Sequence, residues 1–197
     1  MAYHGDPVRL LIVPGLHDSG PAHWQTWLEA HHARRAVRVR QADWSQPDLE
    51  AWAQQIDATL AREPRARWIA VAHSFGCLAL LRHLSRGGEG VHGALLVAPA
   101  DPEKFAVSSK LPHARLTVPT TVLASETDPW MRFESVCAWA RVWGSPLLSL
   151  GDAGHINVDS GHGPLPPAKA LVDQMIQRLE REWRIDRADL RELHFAI

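Results

Sequence analysis

The segment Trp68-Ile69-Ala70-Val71-Ala72-His73-Ser74-Phe75-Gly76-Cys77-Leu78 changes its period in the middle. Arg67 to His73 is an apolar run with β-branched residues, which suits a buried strand. From Leu78 through Leu81 and Leu84 the apolar residues recur at helical spacing, up to Gly87-Gly88. A strand that turns directly into a helix pushes the residue at the turn above the sheet edge, and that residue's neighbours must be small. Here the residue is Ser74, with Gly76 two positions on and Ala72 where the G-x-S-x-G pattern has its first glycine. Such a turn is a nucleophile elbow if the chain supplies partners for the serine. Without them it is a tight turn with a helix-capping serine.

The remaining chain alternates in the same way. Val8–Val13 reads as a buried strand that stops at Pro14-Gly15, and Trp24, Trp27 and Leu28 then share a helix face. Residues 36–41, with alternating arginines, suit an edge strand. Leu49, Trp52, Ala53, Ile56 and Leu60 make an amphipathic helix. Further strands are expected at Gly93–Val97, Thr120–Ala124 and Pro146–Leu150, with helices over Phe133–Trp143 and through Leu171, Val172, Met175, Leu179 and Trp183. This alternation predicts an α/β fold: a three-layer, doubly wound sandwich on a six-stranded parallel sheet in the order 2-1-3-4-5-6. Residues 1–183 are expected to form a single domain. Residues 184–197 form a charged tail with a few apolar residues, either a short packed helix or a frayed end. Ligand chemistry in such a sheet belongs at the carboxyl ends of the strands near the reversal of order, beside Ser74.

Composition narrows the function classes. A net charge of −1 argues against a general nucleic-acid binder or a protein held on acidic lipid. No apolar run is long enough to span a bilayer, and Met1 to Asp6 lacks the basic-then-apolar order of a signal peptide. Cys77 and Cys137 stand in no metal or redox spacing, which predicts a cytoplasmic protein with reduced thiols. Twelve histidines are scattered without an H-E-x-x-H or H-x-H pair, so no metal and no cofactor is expected. Nine tryptophans sit mainly in apolar helical patterns, as core or groove lining.

Serine needs a histidine to take its proton and an acid to orient that histidine. Ser125-Glu126-Thr127-Asp128-Pro129 follows the fifth strand, and Gly151-Asp152-Ala153-Gly154-His155-Ile156-Asn157 follows the sixth. An acid and a histidine thus leave consecutive strand ends in the order Ser, Asp, His, which points to a Ser74–His155–Asp128 triad. Glu126 and Asp101 are the rival acids. The oxyanion of an acyl-transfer intermediate needs backbone donors, and the N–H groups of Phe75 and Leu16 are the candidates. His17, Trp44, Trp130 and His162 are candidates for the substrate pocket. His73 is expected to wedge beside the elbow, His23 to line the mouth or cap a helix, and Cys77 to be core. Asp101 to Thr117 is too short to build a large cap, so an accessible site is expected.

Taken together, these motifs resemble the small serine hydrolases related to retinoblastoma-binding protein nine and the bacterial YdeN-type proteins. The resemblance is carried by Val13-Pro14-Gly15, Trp24 with Trp27, Asp43-Trp44, Ala72-His73-Ser74-Phe75-Gly76, Ala124 through Pro129 and Trp143-Gly144-Ser145. Most specific is Leu150 through Asn157, leading into Ser160-Gly161-His162-Gly163-Pro164. It implies a compact α/β-hydrolase with the same triad, acting on small esters. Leu165 stands where an aromatic is usual, which puts one wall of the pocket in question. No L-x-C-x-E motif surrounds either cysteine, so a retinoblastoma-type partner is not expected. The expected activity is cleavage of small carboxylic esters or thioesters through an acyl-enzyme. The alternative is a non-catalytic module that binds a ligand or protein on a hydrolase scaffold.

Overall fold

The computed structural model describes residues 8–195, with side chains through residue 182. Six strands form one parallel sheet, β1 (Val8–Val13), β2 (Ala36–Arg38), β3 (Arg67–Ser74), β4 (Val91–Pro99), β5 (Thr120–Ala124) and β6 (Leu147–Ser149), in the order β2-β1-β3-β4-β5-β6. Five α-helices connect and cover it: α1 (Trp24–His31), α2 (Leu49–Leu60), α3 (Phe75–Ser85), α4 (Phe133–Trp143) and α5 (Pro166–Phe195). The topology is the one expected from the sequence.

A parallel sheet must be covered on both faces, because its crossovers place helices there. Leu11, Val13, Ala70, Ala72, Leu96 and Val122 turn one way, onto Trp52 and Ile56 of α2, Leu78 and Leu81 of α3, and Val136 and Trp143 of α4. The alternate residues Leu10, Ile12, Ile69, Val71, Leu95 and Leu123 turn the other way, onto Trp24 and Leu28 of α1 and Ala168, Val172, Ile176 and Leu179 of α5. Period-two alternation along each strand thus feeds two separate cores.

The edge strands are shorter than expected, and the central β4 is longer. Residues 36–41 suggested β2, but pairing ends at Arg38, with one more bond from the Val39 N–H to the Ile12 carbonyl at 2.9 Å. Its neighbour in the sheet, β1, ends at Val13, so among the described residues Arg40 and Gln41 have no strand to pair with. At the other edge Pro146 lacks an N–H and stands outside β6, although its carbonyl accepts from the Val122 N–H at 2.8 Å. β4 lies between β3 and β5 and pairs along both sides.

Leu165 is buried in the core with α1 and α5. The backbone of the expected tail continues α5 to Phe195. The packing of residues 183–197, Trp183 included, and the leader reading of residues 1–6 lie outside the described residues.

Candidate active site

Ser74 ends β3 and caps α3 with φ 53° and ψ −125°. A non-glycine residue there is strained, and the surrounding packing must enforce it. Two glycines leave the necessary room. A Cβ on Gly76 would land on the main-chain oxygens of Val13 and Pro14, and one on Gly15 would sit 2.8 Å from the Ser74 Cβ. The sheet itself slips at this point, with a register shift between His73 and Ser74 opposite Pro99. Ala72 is fully buried in strand register between Val13 and Leu96, where a methyl fits.

The loops after β5 and β6 meet Ser74. His155 Nε2 lies 2.9 Å from Ser74 Oγ, and His155 Nδ1 lies 3.0 and 2.9 Å from the two oxygens of Asp128. The Asp128 side chain is only 4% exposed, so water competes little for its carboxylate. An ionised carboxylate can only accept, so Nδ1 carries the proton and Nε2 is free to accept from the Ser74 hydroxyl. The rival acids are elsewhere: Glu126 accepts from Ser149 Oγ at 2.8 Å, and Asp101 caps its own turn at the Glu103 N–H.

The two loops are stitched to each other by short polar side chains. Ser125 Oγ accepts from the N–H groups of Ala153 and Thr127, at 3.0 and 3.2 Å, and donates to the Gly151 carbonyl at 3.2 Å. Thr127 Oγ1 donates to Asp152 at 2.6 Å and accepts from the Gly154 N–H at 3.2 Å. These bonds account for the hydroxyl residues flanking Glu126 and for the small residues before His155.

After β1, the chain turns through His17 and Asp18, both with positive φ (66° and 63°). The His17 N–H donates to the Trp44 carbonyl at 2.9 Å, and Arg38 holds Asp18 and the Ser19 carbonyl at 2.9 and 2.8 Å. The Leu16 N–H donates to no protein acceptor among the described residues. Phe75 opens α3, so its N–H has no intrahelical partner.

A cavity of about 310 Å³ opens over Ser74 and His155. Leu16, His17, Phe105 and Trp130 line it, with Asn157, Val158 and Asp159 on the histidine side. His17 and Trp130 are thus on its wall, whereas Trp44 and His162 are not. Trp44 packs its ring at right angles to Trp52, 5.5 Å away, and reaches the site only through its carbonyl. Phe105 was not foreseen; its signal is an aromatic soon after a central strand leaves the sheet. A larger cavity, about 460 Å³, lies at the opposite edge around Pro119, Thr120 and Pro146, far from the serine.

Burial decides the state of the nearby histidines and cysteine. His23 is lowered to about 4, first by desolvation and then by the charges of Arg38 and His155. His73, wholly buried between His23 and His155, is held well below the usual imidazole range, mainly by desolvation. Both stay neutral and add no positive charge beside His155. Cys77 is core, and burial pushes its thiol far up, which removes it as a nucleophile. Among the described residues, no cluster of histidine, cysteine and carboxylate could hold a metal, and no helix is long and apolar enough to cross a membrane.

Residues 10–174 match the sequence profile of a serine hydrolase family. A protein described as a YdeN-like hydrolase from Pectobacterium atrosepticum is 36% identical, with a TM-score of 0.83 over 88% of this chain and 92% of its own. The ydeN gene product of B. subtilis is 21% identical, with a TM-score of 0.72 over 86% of this chain and 99% of its own. Esterase 2 of Thermogutta terrifontis shares the fold at 14% identity, with a TM-score of 0.62 over 91% of this chain and 87% of its own. Comparison with curated proteins finds no match.

Proposed function

Because the chain belongs to the serine hydrolase family and has the α/β-hydrolase fold, we propose that it cleaves small carboxylic esters through an acyl-enzyme, with thioesters as the second substrate class. The observation that carries this reading is the chain of contacts from Ser74 through His155 to Asp128, at 2.9 Å for each nearest step, with Ser74 and His155 on the wall of one cavity.

In this mechanism His155 Nε2 takes the Ser74 proton as Oγ attacks the carbonyl carbon. The negative charge that develops on the carbonyl oxygen is met by the N–H groups of Phe75 and Leu16. Losing one such donor typically costs about 3 kcal/mol in the barrier. Asp128 holds the Nδ1–H tautomer and stabilises the imidazolium. His155 returns the proton to the departing alkoxide, and the alcohol leaves. Water then gives a proton to His155 and attacks the acyl group. The collapse frees the acid and restores the proton to Ser74.

The cavity walls Leu16, Phe105 and Trp130 favour an apolar acyl or alcohol group, and the volume suits a small one. A cytoplasmic setting fits Cys77 and Cys137, both free thiols.

The test is labelling with a fluorophosphonate probe alongside an aryl-ester series from acetate to octanoate. Wild-type protein should label at Ser74 and turn over the short esters fastest, and Ser74→Ala should lose both activities. Absence of labelling in folded wild-type protein would instead support a binding module on a hydrolase scaffold.

A further inference from the structure

His155 is followed by Ile156, which has φ +48° and is fully buried. A β-branched residue in that region is a true outlier, because its Cβ substituents crowd the main chain. Something must hold the turn in place, and two buried ring N–H groups do so on successive carbonyls. His73 Nε2 lies 3.0 Å from the His155 carbonyl, and Trp24 Nε1 lies 2.9 Å from the Ile156 carbonyl. A carbonyl can only accept, so His73 must carry its proton on Nε2. The two rings pack edge to face, 5.9 Å between centroids, and brace each other. One comes from α1, which caps the sheet face, and the other from the residue before Ser74.

We infer that Trp24 and His73 are positioning residues: together they clamp the strained turn after β6 and so fix the distance between His155 and Ser74. The inference rests on the proposed role of His155 as the base. The stitching by Ser125 and Thr127 holds this loop to the acid, but nothing in it reaches β3. The clamp supplies that link. Because His73 sits next to Ser74 in sequence, one rigid strand end carries both the nucleophile and the donor that locates its base. Burial disfavours the charged form of His73, which favours the neutral ring with its proton on Nε2.

The test uses Trp24→Phe, which removes the indole N–H and keeps an aromatic ring in the core. Trp27→Phe is the control, since Trp27 stands on the same helix with its ring on His31 at 4.4 Å and no bond to the loop. Trp24→Phe should lower kcat on a short aryl ester by roughly ten- to a hundredfold, as small misplacements of reacting groups do, with KM nearly unchanged. The far-downfield proton resonance of the His155–Asp128 bond should broaden or shift. A second pair guards against loss of folding: His73→Gln retains an N–H near the Nε2 position, and His73→Met does not. The Gln variant should keep most of the turnover that the Met variant loses, at matched thermal stability. Equal kcat in folded Trp24→Phe and Trp27→Phe, or in the two His73 variants, would overturn the clamp. These results are distinct from failure of the proposed chemistry, in which wild-type Ser74 would not label at all.

Discussion

At the residue scale, the site depends on side chains whose charge state burial has fixed. His23 caps α1, with its Nδ1 accepting from the Gln25 N–H at 3.1 Å, and its pKa is lowered to about 4. The unfolded chain therefore binds a proton at His23 between pH 6.5 and 4 that the folded protein refuses. The stability gained from a neutral His23 is complete above pH 6.5 and falls as the pH drops through that window. By pH 5 the loss from this residue alone is about 2 kcal/mol, and His73 adds to it in the same direction. Urea unfolding at pH 7.5 and pH 5 should show the loss. His23→Asn, which can still cap the helix, should flatten the difference by about that amount; an unchanged difference would mean that other groups govern acid stability. Ser74, Asp128 and His155 were legible in the sequence because each leaves a strand end in chain order. His17 and Trp130 were legible for the same reason, but exit from a strand does not say which way a ring points. Trp44 turns into the core, and His162 bonds back to Asn157 through its N–H, neither lining the cavity.

At the scale of single elements, periodicity located the helices well and the edge strands poorly. A strand's length depends on its neighbours, and a sequence read locally does not contain them. α1 shows a second gap. Trp24, Trp27 and Leu28 were expected to share one face; Trp27 is only partly buried there, while Gln25 is fully buried, which no apolar pattern signals. Its Nε2 donates to the carbonyls of Val13 and Val71, at 3.2 and 3.0 Å, where β1 and β3 approach the site, while Ser19 Oγ donates to its Oε1 at 2.6 Å. The amide ties the helix to two strand ends and satisfies acceptors that water cannot reach. Gln25→Leu keeps the volume but strands those groups, and should cost about 2–3 kcal/mol in chemical denaturation. A loss below half a kcal/mol would show that the carbonyls find other partners.

At the scale of the whole molecule, the elbow and both partner loops lie at the carboxyl edge of one sheet. Only residues 100–119 separate β4 from β5, with one short 3₁₀ turn at Ser108–Lys110. That segment contributes Phe105 to the wall and nothing large enough to close over it. Trp130 at the rim is 51% exposed. In enzymes with a lid, opening often limits turnover. Here substrate should enter and leave without such a step, so kcat on an activated ester should not change with solvent viscosity. A clear dependence of kcat on viscosity would reveal a gating motion that this architecture does not provide.

α5 completes one face of the sheet by packing Ala168, Val172, Ile176 and Leu179 against β1, β3 and β4. It also follows the other four described helices in chain order. As the chain emerges from a ribosome, β1, β3 and β4 can pair and gather α2 and α3 on one side well before residue 166 exists. The apolar stripe of Ile12, Ile69, Val71 and Leu95 on the other side then waits uncovered. The turn bearing His155 waits with it, since it closes over the same layer. This layer is therefore closed only after Leu179 has emerged, and the interval before that is its period of greatest exposure to chaperones and to aggregation.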